Sequence, residues 1–148
     1  MSIPKVDWKD SHYFKPKIDP RLKCRCCGMM APHPVLIQLL NFIRKDYGDV
    51  IIMVSGTRCT KHNTKVDGAV ESYHIAMPRR GVISMAADIR PKGLPNIAKL
   101  DRLYRSCKKM LNQFHGSRGG LIRYGKFIHV DIRHKRYRED RRRNGSTY

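Results

Sequence analysis

Acidic residues are scarce in this chain: 12 Asp and Glu stand against 31 Lys and Arg, a net charge of +19 over 148 residues. So one-sided a balance bears on partners rather than fold, and it points to polyanions such as nucleic acid, an anionic lipid surface or bacterial wall polymers. It also leaves few carboxylates from which a catalytic base could be drawn. No apolar run approaches the roughly 18 residues that a membrane span needs. The stretch Met1–Trp8 has no apolar signal-peptide core, so the expectation is synthesis in the cytoplasm without a signal peptide. Aromatic residues make up only 8%. With no stacking platform, helix-turn-helix or RNA-binding signature, no specific nucleic-acid partner is expected, because non-specific attraction follows from charge alone. Five cysteines, an odd number, argue against a disulfide framework. Cys24, Cys26 and Cys27 suggest a zinc knuckle, but adjacent Cys26 and Cys27 are poorly placed to share one ion, and the expectation is buried or free thiols.

What is present reads as one domain of class α+β. Residues 1–20, with Pro4, Pro16 and Pro20, form an extended N-terminal arm. The domain proper covers 21–134, and 135–148 form a basic C-terminal tail. Residues 33–47 are predicted helical, with Pro34 in the first turn, an apolar stripe from Val35 to Ile43, and Gly48 as the stop. Val50–Val54 reads as a short buried strand, and Thr60–Val66 as one or two helical turns. Alternation predicts a strand over 82–90. Pro95–Phe114 is the longest helix, with Ile97, Leu100, Leu103, Tyr104, Cys107, Leu111 and Phe114 at spacings of three and four. Leu121–Tyr124 and Phe127–Arg133 read as a hairpin around Gly125-Lys126.

Chemistry concentrates in Glu71–His74, Met85–Arg90 and Lys126–Arg133. Strand side chains alternate, so Ile128, Val130 and Ile132 face one way and His129, Asp131 and Arg133 the other. Asp88 lies on the polar face of its own strand. If those strands pair, Asp88 and His129 converge, and His74 can fold over them from the preceding loop. Two imidazoles and one carboxylate suit a catalytic zinc, which keeps a position open for water, whereas a structural zinc is closed by four ligands, usually including thiolates. Singly, each residue has a plainer reading: a strand histidine is usually half-buried and hydrogen-bonded, and an aspartate solvated or capping.

The segments Ser55-Gly56-Thr57-Arg58-Cys59, His62-Asn63, Val66-Asp67-Gly68-Ala69, Ser72-Tyr73-His74, Ala86-Ala87-Asp88-Ile89, Arg123-Tyr124 and Phe127–Arg133 together resemble the zinc D-alanyl-D-alanine carboxypeptidase family, which includes phage endolysin relatives that cut cell-wall peptides. The resemblance covers roughly residues 20–133, and its strength lies in the ordered set. It implies a small hedgehog/DD-peptidase-like domain with an antiparallel sheet carrying the metal. It implies zinc held by His74, Asp88 and His129, with Arg58 binding the peptide's terminal carboxylate and Ser72 hydrogen-bonding substrate near the metal. The implied activity is hydrolysis of peptidoglycan stem peptides at the bacterial cell wall by a monomer, with anionic wall polymers as further partners. A non-catalytic basic domain that binds cell wall or nucleic acid is the competing reading.

Two departures stand out. Asp88 follows His74 by fourteen residues, about twice the spacing usual in relatives, so Met77–Ile83 resembles an insertion that brings Arg79 and Arg80 beside the cleft. Several relatives also carry an acid three residues before the last histidine, where this chain has Lys126. The candidates for the general base are then Asp131, Glu71 and Asp67, in that order, with His62 a further candidate. Asp131 has a second reading as a residue that orients a ligand or Arg133.

Overall fold

The computed structural model describes residues 3–66, 68 and 72–142. Two long helices and a five-stranded sheet make up the body. Helix α1 spans Pro34–Tyr47, α2 Thr60–Lys65 and α3 Ile97–Phe114. The strands are β1 Ile51–Ser55, β2 Ala86–Pro91, β3 Gly119–Arg123, β4 Ile128–Asp131 and β5 Arg136–Asp140, in the order β1-β2-β4-β3-β5.

Local chemistry sets the helix ends. Pro34 opens α1 with its φ already helical and no N–H to satisfy, and His33 Nδ1 accepts the Val35 N–H at 3.0 Å. Gly48 closes the helix at φ +80°, a left-handed conformation that costs glycine little. In α3 the Asn96 side chain caps the Lys99 N–H at 3.0 Å. Ile97, predicted to belong to the apolar stripe, lies in the first turn and is 70% exposed; Met110 is buried instead.

The core lies on one face of the sheet. Leu36, Leu39, Leu40 and Ile43 of α1, with Leu100, Leu103, Cys107 and Leu111 of α3, cover Met53, Ala87, Ile89, Leu121, Ile128 and Val130. The period of two then forces the intervening residues to the opposite face. Strands β2 and β4 run antiparallel with Asp88 directly opposite His129, and β3 places Ile122 opposite His129 on the other side. One apolar/polar alternation thus builds the core and sets up the site.

The N-terminal arm wraps the domain. Phe14 is 1% exposed in the core, and the Tyr13 N–H donates to Asn41 Oδ1 at 2.7 Å. The tail expectation needs correction. Residues 136–140 form β5, which adds to β3 in parallel and makes an otherwise antiparallel sheet mixed. The charge run conceals a strand because its charges have partners: Arg138 Nη1 donates to the Gly119 carbonyl at 2.7 Å, Arg141 pairs with Glu139 at 2.8 Å, and Arg142 pairs with Asp140. Charged side chains are usual on an exposed edge strand.

The predicted strand over 82–90 begins only at Ala86. Before it, Met77 and Val82 exchange both backbone hydrogen bonds, at 2.8 and 3.1 Å, around a 3-10 turn at Pro78–Arg80. The extra residues leave and rejoin the chain at nearly one point, so the path to Asp88 is undisturbed. Arg79 and Arg80 are exposed and lie outside the lining of the cleft described below.

Candidate metal centre

Three elements deliver the cluster. β2 and β4 supply Asp88 and His129 by register. His74 arrives on a loop stitched to the Arg58 segment: the Arg58 N–H donates to the His74 carbonyl and the Ala76 N–H to the Arg58 carbonyl, both at 2.9 Å. Ser72 shapes that loop, its Oγ accepting the His74 N–H at 3.3 Å. One ligand atom from each of His74, Asp88 and His129 lies within 4.8 Å of the others, and all three residues are buried.

Each imidazole is aimed by its second nitrogen. His74 Nδ1 donates to the Gly56 carbonyl at 2.8 Å. A carbonyl can only accept, so Nδ1 carries the proton and Nε2, 3.1 Å from Asp88 Oδ1, presents its lone pair. His129 Nε2 donates to Asp131 Oδ2 at 2.7 Å, leaving Nδ1 facing Asp88 Oδ1 at 3.0 Å. A ligand histidine held from behind by a carbonyl or carboxylate is the usual outer support of a metal site.

Burial lowers the pKa of His74, with Arg58 and His129 adding to the effect and Asp88 opposing it. That favours the neutral ring that metals require. Burial alone would raise the Asp88 carboxyl, but His74 and His129 hold it well below the carboxylate range. Burial disfavours a charged His129, yet the Asp131 and Asp88 hydrogen bonds prevail and raise its pKa to about 9. Two carboxylates thus hold a proton on His129 Nδ1 at a place where a cation fits. The donor set suits zinc: one carboxylate and two imidazoles, the His74 lone pair already directed at the centre and the His129 Nδ1 proton given up as an ion binds.

Asp131 is fully buried. Beyond His129, it accepts from Arg133 Nε at 2.8 Å, Arg133 Nη2 at 2.6 Å, the Arg133 N–H at 3.1 Å and the Gly120 N–H at 2.9 Å. Gly120 is needed there, because a Cβ would lie 2.2 Å from Asp131 Oδ2. Arg58 reaches the other side of the centre, with Nη2 3.1 Å from Asp88 Oδ2 and Nε 3.1 Å from Ser55 Oγ.

The cluster lies in a cleft of about 380 Å³ whose lining includes Arg58, Ser72, His74, Asp88 and His129. Its further walls come from residues to which the sequence assigned no role: Tyr73, Tyr124, Phe127, Arg133, Tyr137 and Arg141. Arg133 lies over the Tyr73 ring at 4.3 Å and the Tyr137 ring at 4.7 Å, and Tyr124 stacks on Phe127 at 4.6 Å. Tyr137 and Arg141 lie in the stretch that reads in sequence as a tail. Among the described residues, Asp88 is the only carboxylate lining the cleft. Glu71 and Asp67 fall outside the described residues. His62 is buried on α2 and absent from the lining.

The chain matches the Peptidase M15 family over residues 12–131. No curated protein and no solved structure matches it. A match over most of the chain settles the family: the protein belongs to the M15 peptidases, the zinc D-alanyl-D-alanine carboxypeptidase-like family of metallopeptidases.

Proposed function

We propose that this M15 peptidase hydrolyses the stem peptides of peptidoglycan, with His74, Asp88 and His129 as its zinc ligands. The observation that carries this reading is the convergence of those three side chains, each imidazole locked from behind, at the base of a cleft edged by arginines. Zinc held there supplies Lewis acidity, polarising a carbonyl and bringing water's pKa to about 7.

The chain's own residues do the rest. Arg58 flanks the centre and receives a substrate carboxylate, a task for which a planar two-pronged donor is suited. Ser72 holds the His74 loop and presents its polar edge to the cleft. Tyr124 and Phe127 give the peptide an apolar wall. Asp131 positions His129 and is not the base, because its oxygens are engaged by His129, Arg133 and Gly120 in a site without solvent access. Glu71 takes the base role: it directly precedes the cleft-lining Ser72, and a base must reach the proton it removes. The positive surface concentrates the enzyme on anionic wall polymers, an attraction that salt weakens.

The test is mass-spectrometric digestion of a D-alanine-terminated stem pentapeptide beside its C-terminal amide. Release of the last residue from the free acid, slowed by amidation and by Arg58→Ala through KM, is expected. Equal cleavage of acid and amide would remove Arg58 from carboxylate recognition. Cleavage of neither, with chelator-sensitive cleavage of cross-linked wall fragments, would replace the carboxypeptidase with an endopeptidase.

A further inference from the structure

Three thiols gather beside the Arg58 segment, where Cys59 directly follows Arg58. One sulfur from each of Cys24, Cys27 and Cys59 lies within 4.8 Å of the others. We propose that Cys24, Cys27 and Cys59 supply three of the four ligands of a second, structural zinc ion, separate from the His/Asp cluster.

The spacing fits thiolate coordination. With Zn–S near 2.3 Å, two sulfurs on a tetrahedral ion stand about 3.8 Å apart; Cys24 Sγ and Cys59 Sγ are 3.7 Å apart. A disulfide needs about 2.05 Å and would leave the third sulfur idle. The backbone is folded as for a ligand. Cys24 and Cys27 are separated by two residues on a tight turn, closed by Gly28 N–H to the Cys24 carbonyl at 2.8 Å and Cys24 N–H to the Met29 carbonyl at 2.7 Å. Gly28 follows Cys27 at φ +75°, a conformation that bends the chain back and disfavours other residues. N–H groups point at the sulfurs: Cys59 N–H lies 3.4 Å from Cys24 Sγ, and His62 N–H 3.3 Å from Cys59 Sγ. Such donors stabilise thiolates. Cys26 stands beside Cys59, with Lys61 nearby to offset the negative charge. Soft sulfur ligands select zinc over magnesium or calcium, and the thiol protons pass to solvent as the ion binds.

The ion would have a structural task. The turn at Cys24 follows Arg21 and Leu22, whose carbonyls accept the Gly56 and Thr57 N–H groups at 3.0 and 3.3 Å. Cys59 adjoins Arg58. Zinc there ties the N-terminal segment to the loop that carries Arg58 and aims Gly56 at His74.

Cobalt(II) titration of the full chain, stripped of metal and kept reduced, tests this. Expected is a thiolate-to-cobalt charge-transfer band in the near ultraviolet, displaced by zinc. Cys27→Ser and Cys59→Ser should each weaken binding at least tenfold, while Cys107→Ala, a buried core thiol, leaves the band unchanged. His129→Ala should also keep the band, which separates this site from the His/Asp cluster, where cobalt has no sulfur ligand. If a serine variant fails to fold, the wild-type band still decides. Absence of that band, or a Cys24–Cys59 disulfide in chain purified without reductant and refractory to metal, would overturn the proposal.

Discussion

The His74–Asp88–His129 cluster and the Cys24–Cys27–Cys59 cluster each bring their ligand atoms within 4.8 Å of one another, yet they are built from opposite materials. The first draws two of its three members from paired strands, so sheet register fixes Asp88 against His129. Its donors are nitrogen and oxygen, it is buried, and it opens into a cleft. The second hangs on turns and a short helix start, its donors are all sulfur, and Cys27 is exposed. Chemistry that needs an open coordination position profits from the stiffer support, since misplacement of a reacting group by about 1 Å can cost 10²-fold. A tie between loops needs only strong, soft ligands.

Ligand removal sets the two apart most sharply. His129→Ala should lose about 10³-fold or more in kcat/KM, the equivalent of about 4 kcal/mol of transition-state stabilisation, while the sulfur cluster still binds cobalt. Equal activity in steady-state assays would detach the first cluster from catalysis. Glu71→Gln should lower kcat by about 10²- to 10⁴-fold with metal content unchanged; a normal rate would return the base role to another group. Asp131→Asn keeps the shape but presents an amide to His129, and metal affinity should fall about 10- to 100-fold, measured by competition with a chromophoric chelator. A loss of turnover with metal affinity untouched would make Asp131 the base after all.

The smallest effect concerns pH. His129 has a pKa raised to about 9 in the metal-free fold, so the charged ring stabilises that fold. The contribution is complete below the ordinary value of about 6.5 and is lost as pH rises through about 9. The melting temperature of chelated protein should therefore fall over that window, whereas metal affinity should rise, because the ion no longer displaces a proton. A flat melting profile would show that Asp88 and Asp131 do not hold His129 charged.

Much of the site was legible because it rides on alternation. Ile128, Val130 and Ile132 against His129 and Asp131 is a strand pattern that needs only its partner, and Ala87-Asp88-Ile89 offers the matching one. Pro34 and Gly48 marked α1 for equally local reasons. What escaped depends on distance or on the backbone. The Gly56 carbonyl that orients His74 is no side chain at all. Cys59 joins Cys24 only across 35 residues of chain, so the three neighbouring cysteines gave no hint of it. β5 was hidden because its arginines read as solvated charge until Asp101, Glu139, Asp140 and the Gly119 carbonyl are placed beside them.

Hydrolysis of a peptidoglycan stem peptide by the full chain, followed as zinc is returned after chelation, bears most directly on the central claim. Turnover should vanish on chelation, return with zinc in the wild type, and fail to return in His74→Ala and His129→Ala. Undiminished turnover in the chelated chain, or full recovery in both variants, would contradict it.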